Sequence, residues 1–155
     1  MFERIVGILV VVMTGQIGAQ VPATRVPSIV QQAMHARFRD ASAPEWKKKS
    51  SGAYEAEFVS GRVEIAAQFD AGGRWLETEA SIPRSAVPAP VDRAVARQFP
   101  GYQIVETQTV ESAEHPRALI YELHMQNATT IEKVQLDKTG SVLNASSKPR
   151  PPAAQ

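Results

Sequence analysis

Two segments of the chain, residues 26–38 and 87–99, place their apolar residues at the spacing of one face of an amphipathic helix. Each segment begins with Val-Pro, and proline is tolerated in the first helical turn because its missing N–H has no partner there. The apolar positions recur in the same order: Val30, Ala33, Met34 and Phe38, then Val91, Ala94, Val95 and Phe99. The pattern predicts two similar helices.

Behind each predicted helix the period of the pattern changes to two. Alternation of this kind is typical of strands with one buried face and one solvent-exposed face. It occurs in residues 54–59, 63–69 and 119–125. The polar side chains of these segments are therefore expected on the exposed face of a sheet, namely Glu55, Glu57, Glu64, Gln68, Glu122 and His124.

A short motif of Asp, Gly and Leu at fixed spacing occurs once in each half of the chain. The residues are Asp70, Gly73 and Leu76 in the first half and Asp137, Gly140 and Leu143 in the second. An aspartate can accept hydrogen bonds from its own backbone a few residues on, and glycine adopts positive φ at no steric cost. The motif predicts two hairpin turns.

These matches together predict an internal repeat and an α+β fold. Each copy is expected to contain one helix followed by an antiparallel sheet of about four strands, with the helices packed on one sheet face. We assign residues 26–86 to the first repeat, residues 87–145 to the second, and residues 20–25 to a linker before them.

The two ends of the chain are predicted to lie outside this fold. Residues 1–19 combine Arg4, an apolar run at 5–13 and the small residues Gly18 and Ala19, which is the pattern of a secretory signal peptide cleaved after Ala19. An uncleaved membrane anchor is the alternative. Cleavage predicts a periplasmic or secreted protein without stable membrane insertion. Residues 146–155 contain three prolines and no large apolar residue, so we predict a disordered tail.

Charge and cysteine content exclude several classes of function. The 17 basic and 16 acidic residues leave a formal net charge of +1, which offers no basic field for nucleic acid. The sequence contains no cysteine. Disulfides, thiolate metal sites and cysteine nucleophiles are therefore excluded.

The residues with catalytic potential do not form a known catalytic arrangement. His35, His115 and His124 have no metal-ligand spacing, no serine lies in a Gly-x-Ser-x-Gly motif, and no glycine-rich phosphate loop is present. Asp70 and Asp137 could form an acid–base pair, although the turn already accounts for both. We therefore predict a protein that is not an enzyme and needs no cofactor or metal.

The motifs "YEAEF", "FDAGGRWLETE" and "FPGY", at residues 54–58, 69–79 and 99–102, resemble those of the PepSY-like family of secreted bacterial proteins. That family is also described as beta-lactamase-inhibitor-like. The resemblance covers roughly residues 26–144. It implies tandem helix-plus-sheet modules, an export signal and no known enzymatic activity. The disulfides that staple the beta-lactamase inhibitor protein have no counterpart here, and none of its contact residues is carried over.

Trp75 shares its parity with Glu77 and Glu79. If Leu76 points into the core, as its counterpart Leu143 suggests, Trp75 lies on the exposed face, where tryptophans often anchor a partner. The alternative is that the turn shifts the register and buries Trp75. The predicted protein-binding residues are Trp75, Glu77, Glu79, Glu55, Glu57, Glu122 and His124.

Three functions remain open at this point. The first is an exported, non-enzymatic module that binds a protein or peptide through an open sheet face. The second is a small periplasmic ligand-binding protein or enzyme that uses the concavity between the two repeats. The third is an inhibitory or chaperone-like module, by analogy of fold alone.

Overall fold

The computed structural model describes residues 18–151. Within this range it contains nine β-strands, two α-helices and two short 3-10 turns at Ala23–Arg25 and Arg84–Ala86. The elements, in chain order, are β1 Gly18–Val21, α1 Ser28–Arg37, β2 Glu45–Lys49, β3 Tyr54–Ser60, β4 Val63–Phe69, β5 Trp75–Ser81, α2 Ala89–Gln98, β6 Gln103–Ser112, β7 Ile120–Gln126, β8 Thr130–Leu136 and β9 Val142–Pro149.

All the strands of the described range form one antiparallel sheet in which each strand pairs with the next along the chain. The two halves of the chain are joined by β5 and β6, whose register places Glu77 opposite Ser112 and Ser81 opposite Gln108. The sheet is therefore continuous from β1 to β9.

This arrangement shows that the predicted fold class was wrong. The strands do not divide into two modules of about four strands, each with its own helix. They form one nine-stranded sheet that is accompanied, among residues 18–151, by two short helices of ten residues. The periodic pattern assigns side chains to faces but carries no information about edges. The free N–H and C=O groups of β5 find their partners in β6, and this pairing merges the two predicted sheets.

The apolar side chains gather in two buried clusters. Val30 and Met34 of α1 belong to the first, together with Trp46, Phe58 and Phe69. The second unites residues of α2, β7 and β8, namely Val91, Ala94, Val95, Leu123, Met125, Val134 and Leu136. Each cluster removes large apolar side chains from water, which is the main favourable contribution to folding.

The predicted turn chemistry is confirmed at both Asp-Gly motifs. Asp70 Oδ1 accepts the backbone N–H groups of Gly72 and Arg74, each at 2.9 Å. Asp137 Oδ1 accepts the corresponding N–H groups of Thr139 and Ser141, at 2.8 and 3.0 Å. The backbone N–H of Arg74 contributes most to holding the pKa of Asp70 below its ordinary value. For Asp137 the largest contribution to the lowered pKa comes from the hydroxyl of Thr139, which donates to Oδ1 at 2.6 Å.

The glycines of these turns are required for two reasons. Gly73 and Gly140 have φ values of 83° and 87°, which other residues adopt only with strain. A Cβ atom at Gly73 would lie 2.9 Å from the carbonyl oxygen of Ile29, and one at Gly140 would lie 2.5 Å from that of Pro90. Each turn is therefore seated against the start of a helix.

The ends of the described range differ from the predicted boundaries. β1 begins at Gly18, so the predicted cleavage after Ala19 falls inside this strand, while most of the predicted signal peptide lies outside the described residues. β9 reaches Pro149 and includes residues 146–149 of the predicted tail. These residues form a strand because β8 supplies partners for their backbone hydrogen bonds, and a strand of this kind does not require apolar side chains. Among the described helices, none has the length and hydropathy needed to cross a membrane.

Candidate functional site

The candidate site is the sheet surface on the side away from the two apolar clusters, which we call the polar face. Directly paired residues of neighbouring antiparallel strands share a face. The register aligns Glu55, Gln68 and Glu77 across β3, β4 and β5. It also aligns Gln108, Glu122 and Gln135 across β6, β7 and β8. The charged and amide residues of the polar face include Lys47, Lys49, Glu55, Glu57, Gln68, Glu77, Glu79, Glu106, Gln108, Glu122, His124, Lys133 and Gln135.

In the first half of the sheet, an ion pair and an amide bridge connect the acids of this face. Lys49 Nζ lies 2.9 Å from Glu55 Oε2, and the two side chains are only 3% and 7% exposed. Gln68 Nε2 lies between Glu55 and Glu77 and donates to both, at 3.2 and 2.6 Å. Lys47 forms a further ion pair with Glu57. The amide of Gln68 thus links Glu55, which pairs with Lys49, to Glu77, which has no ion pair within residues 18–151.

In the second half, Glu122 is the centre of a denser network. Its carboxylate is fully buried and contacts His124 Nε2, Lys133 Nζ and Gln135 Nε2, each at 2.8 Å. His124 Nδ1 lies 3.0 Å from Glu106 Oε2 on the other side of the ring. Three donors and two carboxylates therefore meet within one buried hydrogen-bonded cluster.

The imidazole of His124 is held in its charged form by this geometry. A neutral ring has one donor nitrogen and one acceptor nitrogen, but both nitrogens of His124 face carboxylates, which only accept. Burial alone would lower the pKa of His124. The bonds to Glu106 and Glu122 outweigh burial and raise the pKa to about 9. His124 is thus a buried imidazolium at neutral pH.

Glu122 and Lys133 are also kept charged by their neighbours. Burial alone would raise the pKa of Glu122, but the hydrogen bonds from His124 and Lys133 outweigh it, so the pKa lies below the ordinary value. Burial alone would lower the pKa of Lys133, but the charges of Glu79 and Glu122 raise it. The buried charges of this cluster are therefore mutually compensated.

The two acids of β5 are less well compensated. Burial raises the pKa of Glu79 to about 7, and the negative charge of Glu122 adds to that effect. Ala66 and Val110 lie directly beside Glu79 on the neighbouring strands, and its ion pair with Lys133 spans 3.5 Å. Burial likewise raises the pKa of Glu77. Both carboxylates are partly removed from water; Glu79 has only the long ion pair with Lys133, and Glu77 forms no ion pair among the described residues.

The structure brings the predicted polar site residues onto one face but does not expose them as the alternation predicts. Of the six polar residues predicted to bind a partner, two are half-buried, namely Glu57 and Glu77. The other four are buried, namely Glu55, Glu79, Glu122 and His124. Alternation distinguishes one face from the other, but it does not show that long side chains on adjacent strands cover each other. Their predicted role in protein binding stays a prediction.

The predicted position of Trp75 on this face was wrong. The pairing of β4 with β5 shifts between Gln68 and Phe69, so that Trp75 pairs with Phe69 and Leu76 becomes the extra residue of a β-bulge. Trp75 therefore packs against the first apolar cluster. Its Nε1 donates to Thr78 Oγ1 at 2.9 Å, and the guanidinium of Arg37 lies 3.8 Å from the ring centroid.

Glu106 and Gln108 also lie on this face, opposite His124 and Glu122, although the sequence pattern does not predict it. They lie on β6, whose alternation is interrupted by a second irregularity between Ile104 and Glu106. The interruption leaves Val105 half exposed and breaks the period-two signal. If residues 106–110 are aligned with the alternating pattern of β7, without the residues before the irregularity, Glu106 and Gln108 fall on the polar face.

Two pockets adjoin the polar face. One of about 390 Å³ lies at the junction of the two halves of the sheet and is lined by Glu64, Ser81, Ile82, Arg84, Ile104, Val105, Glu106 and Thr107. Another of about 330 Å³ lies beside Glu77 and is lined by Gln68, Arg74, Leu76, Glu77, Ser112, Ala113 and Glu114. No group of three or more His, Asp or Glu residues in the described range could hold a metal ion.

Solved structures from several Bacteroides species share this fold. A DUF2874 family protein from Bacteroides uniformis has a TM-score of 0.68 at 20% identity, over 78% of this chain and 88% of that chain. A structure from Bacteroides eggerthii, described as "putative periplasmic proteins", has a TM-score of 0.69 at 20% identity, over 79% and 88%. A BLIP-like protein from Bacteroides fragilis has a TM-score of 0.67 at 19% identity, over 87% and 93%.

The sequence comparisons give the family. No curated protein matches the sequence. A family model described as "Putative beta-lactamase-inhibitor-like, PepSY-like" matches twice, at residues 12–65 and 52–144. These two matches extend over most of the chain, including β1 to β8, and they confirm the resemblance drawn from the motifs. The protein belongs to the PepSY-like, beta-lactamase-inhibitor-like family.

Proposed function

We propose that the protein is an exported, non-enzymatic binding module that uses the polar face of its sheet to contact a basic segment of a protein or peptide. The proposal follows the inhibitor-like description of the family and the BLIP-like description of one solved relative. The description of another relative as periplasmic supports a location outside the cytoplasm.

The observation that carries this proposal is the state of Glu77 and Glu79. Both lie on β5, the fifth of nine strands in the described sheet. Burial raises the pKa of each, and Glu77 receives its hydrogen bond from the neutral amide of Gln68. Within residues 18–151, no lysine or arginine forms an ion pair with Glu77. A cation from a partner would supply the missing counter-charge.

The position of these acids also suits recognition. Side chains that are already held by hydrogen bonds lose little conformational freedom when a partner binds. The complementary charge of a lysine or arginine would favour encounter and orientation, while like-charged partners would be rejected. A half-buried carboxylate beside a pocket of about 330 Å³ therefore provides both charge and space for a long basic side chain.

Selection from a peptide library displayed on phage would test the proposal. Ligands selected on the wild-type protein should be enriched in lysine and arginine. Glu77→Gln combined with Glu79→Gln should weaken the best of them by tenfold or more, as measured by isothermal titration calorimetry. Glu111→Gln is the matched control, since Glu111 pairs with Thr78 on the other face. Equal binding by wild type and double variant would refute the assignment of the face.

The inhibitor-like form of the proposal has its own assay. Members of several beta-lactamase classes can be assayed with a chromogenic substrate at increasing concentrations of the protein. Inhibition that is lost in the Glu77 and Glu79 double variant would identify a beta-lactamase as the partner. Unchanged activity across the panel would restrict the proposal to other basic partners.

A second candidate function rests on the pocket at the junction of β5 and β6. Its 390 Å³ volume would fit a small ligand, and its lining combines apolar residues with Ser81, Arg84 and Glu106. Ser81→Phe would reduce this space. A small molecule that raises the melting temperature of wild type but not of this variant would favour the second function over the first.

A further inference from the structure

β9 forms one border of the sheet, and its outer edge has no strand beside it in the described range. All eight of its residues are exposed, including Val142 at 37% and Leu143 at 54%. An edge strand of this length presents unpaired N–H and C=O groups that can pair with another strand. The edge therefore has the properties of an interaction surface.

The direction of the backbone groups follows from one hydrogen bond. The N–H of Arg150 donates to the carbonyl oxygen of Thr129 at 2.7 Å. Hydrogen-bonded pairs alternate along antiparallel strands, so the N–H groups of Lys148, Ser146 and Asn144 also point toward β8. The N–H groups of Ala145 and Ser147 consequently point outward, where they are available to a second strand.

The protective features of this edge lie at its two ends. Pro149 removes the next outward N–H group, and Lys148 supplies the only charge of the strand. At the other end, Leu143 is the extra residue where the pairing with β8 shifts. Residues 144–147 between these features are neutral, small or polar, and nothing in them opposes pairing.

We propose that this edge binds the β9 strand of a second copy of the chain in antiparallel orientation, with Ser146 opposite Ser146 of the partner subunit. This register pairs the outward groups of Ala145 with those of Ser147 in the partner subunit. It places Lys148 opposite the neutral Asn144, so no like charges meet. The contact is the same on both subunits, as a twofold dimer requires.

Sheet continuity gives a second argument for this partner. A twofold axis perpendicular to the sheet keeps the polar faces of both copies on the same side. Gln135 pairs with Asn144 and Lys133 pairs with Ser146 on that face, so the polar surface would run from one copy to the next without a break. The inference does not depend on the proposed function of that face.

Sedimentation velocity over a wide range of protein concentrations tests the dimer. The average mass of the wild-type protein should rise toward twice the monomer mass. Ser147→Pro should remain monomeric, because it removes an outward donor without touching the bonds to β8. Ser147→Ala is the matched control and should associate like wild type. A wild-type protein that stays monomeric at every concentration would overturn the proposal.

A charge exchange at the twofold axis tests the register and does not depend on proline. Ser146→Asp and Ser146→Lys should each be monomeric, because like charges would face each other in a non-hydrogen-bonded pair, where side chains are closest. An equimolar mixture of the two variants should regain the dimer. Association of either variant alone as strong as that of wild type, or a mixture that stays monomeric, would rule out this register.

Discussion

Replacement of His124 should change the pH dependence of stability in a defined direction. Its ring is buried between Glu106 and Glu122, and its pKa is raised from 6.5 to about 9. A pKa that is higher in the folded state than in the unfolded state stabilises the fold at low pH. This contribution is fully present below pH 6.5 and is lost as the pH rises through about 9.

The size of the effect follows from the difference between the two pKa values. At about 1.4 kcal/mol per pH unit, the rise from 6.5 to about 9 corresponds to roughly 3 kcal/mol. The side chain is 6% exposed, so solvent screening reduces this figure little. The charged groups that face the ring are Glu106 on β6, Glu122 on β7 and Lys133 on β8, and the last two are in contact with each other.

Urea unfolding of wild type and His124→Gln at pH 6 and pH 10 measures this contribution. Glutamine retains a donor for one carboxylate but has no titrating charge. The free energy of unfolding of wild type should exceed that of the variant by roughly 3 kcal/mol more at pH 6 than at pH 10. Titration of the ring by NMR should give a midpoint near 9 in the folded protein.

Two results would refute this reasoning. Stability curves that run parallel from pH 6 to pH 10 would show that the ring does not titrate between its carboxylates in the way that the geometry requires. An NMR midpoint near the ordinary value of about 6.5 would show that Glu106 and Glu122 do not stabilise the charged form of the ring. Glu106→Gln would then leave the midpoint unchanged, whereas our interpretation requires it to fall.

Three further predictions follow from the turns, the bulge and the composition. Gly140→Ala should cost about 2–4 kcal/mol in unfolding free energy, because it adds a clash with Pro90 to the backbone strain. Gly52→Ala should cost only about 1–2 kcal/mol, because a Cβ there would meet no described residue within 4 Å. Equal losses would show that the turn can move away from the helix. Trp75→Ala should destabilise the fold by about 2–4 kcal/mol in chemical denaturation, because Trp75 packs on the apolar cluster, and an unchanged midpoint would place the ring in solvent. Thermal melts with and without a strong chelator should coincide, and a large fall on chelation would reveal a structural metal.

The local elements of the fold could be predicted from the sequence because their signals are local. The helical spacing in residues 26–38 and 87–99 identified α1 and α2, which lie inside these segments. The Asp-Gly motifs identified two turns in which the aspartates accept nearby backbone N–H groups. In each case the residues that form the structure are also neighbours in the chain.

The sheet and the site depend on long-range pairing, and the sequence pattern carries little information about it. The bond between β5 and β6 that merges the two halves involves backbone groups, which every residue possesses. The bulge at Leu76 places Trp75 on the face opposite to the one that alternation predicts, and no residue of the motif indicates that a bulge forms there. Burial of Glu122 likewise arises from donors on β7 and β8 that meet only when the strands pair.

Some carboxylates of the polar face are balanced by nearby cations and others are not. This difference decides at which residues a substitution can affect binding without also affecting stability. Removal of Glu122 would leave His124 and Lys133 as buried charges with fewer partners, so the loss would appear mainly as instability. Removal of the charge at Glu77 breaks no ion pair within the described part of the chain, because its hydrogen bond comes from the amide of Gln68. A glutamine at this position can retain that bond while it loses the attraction for a partner's lysine or arginine. Glu77 is therefore the residue of the polar face at which binding can be separated from folding.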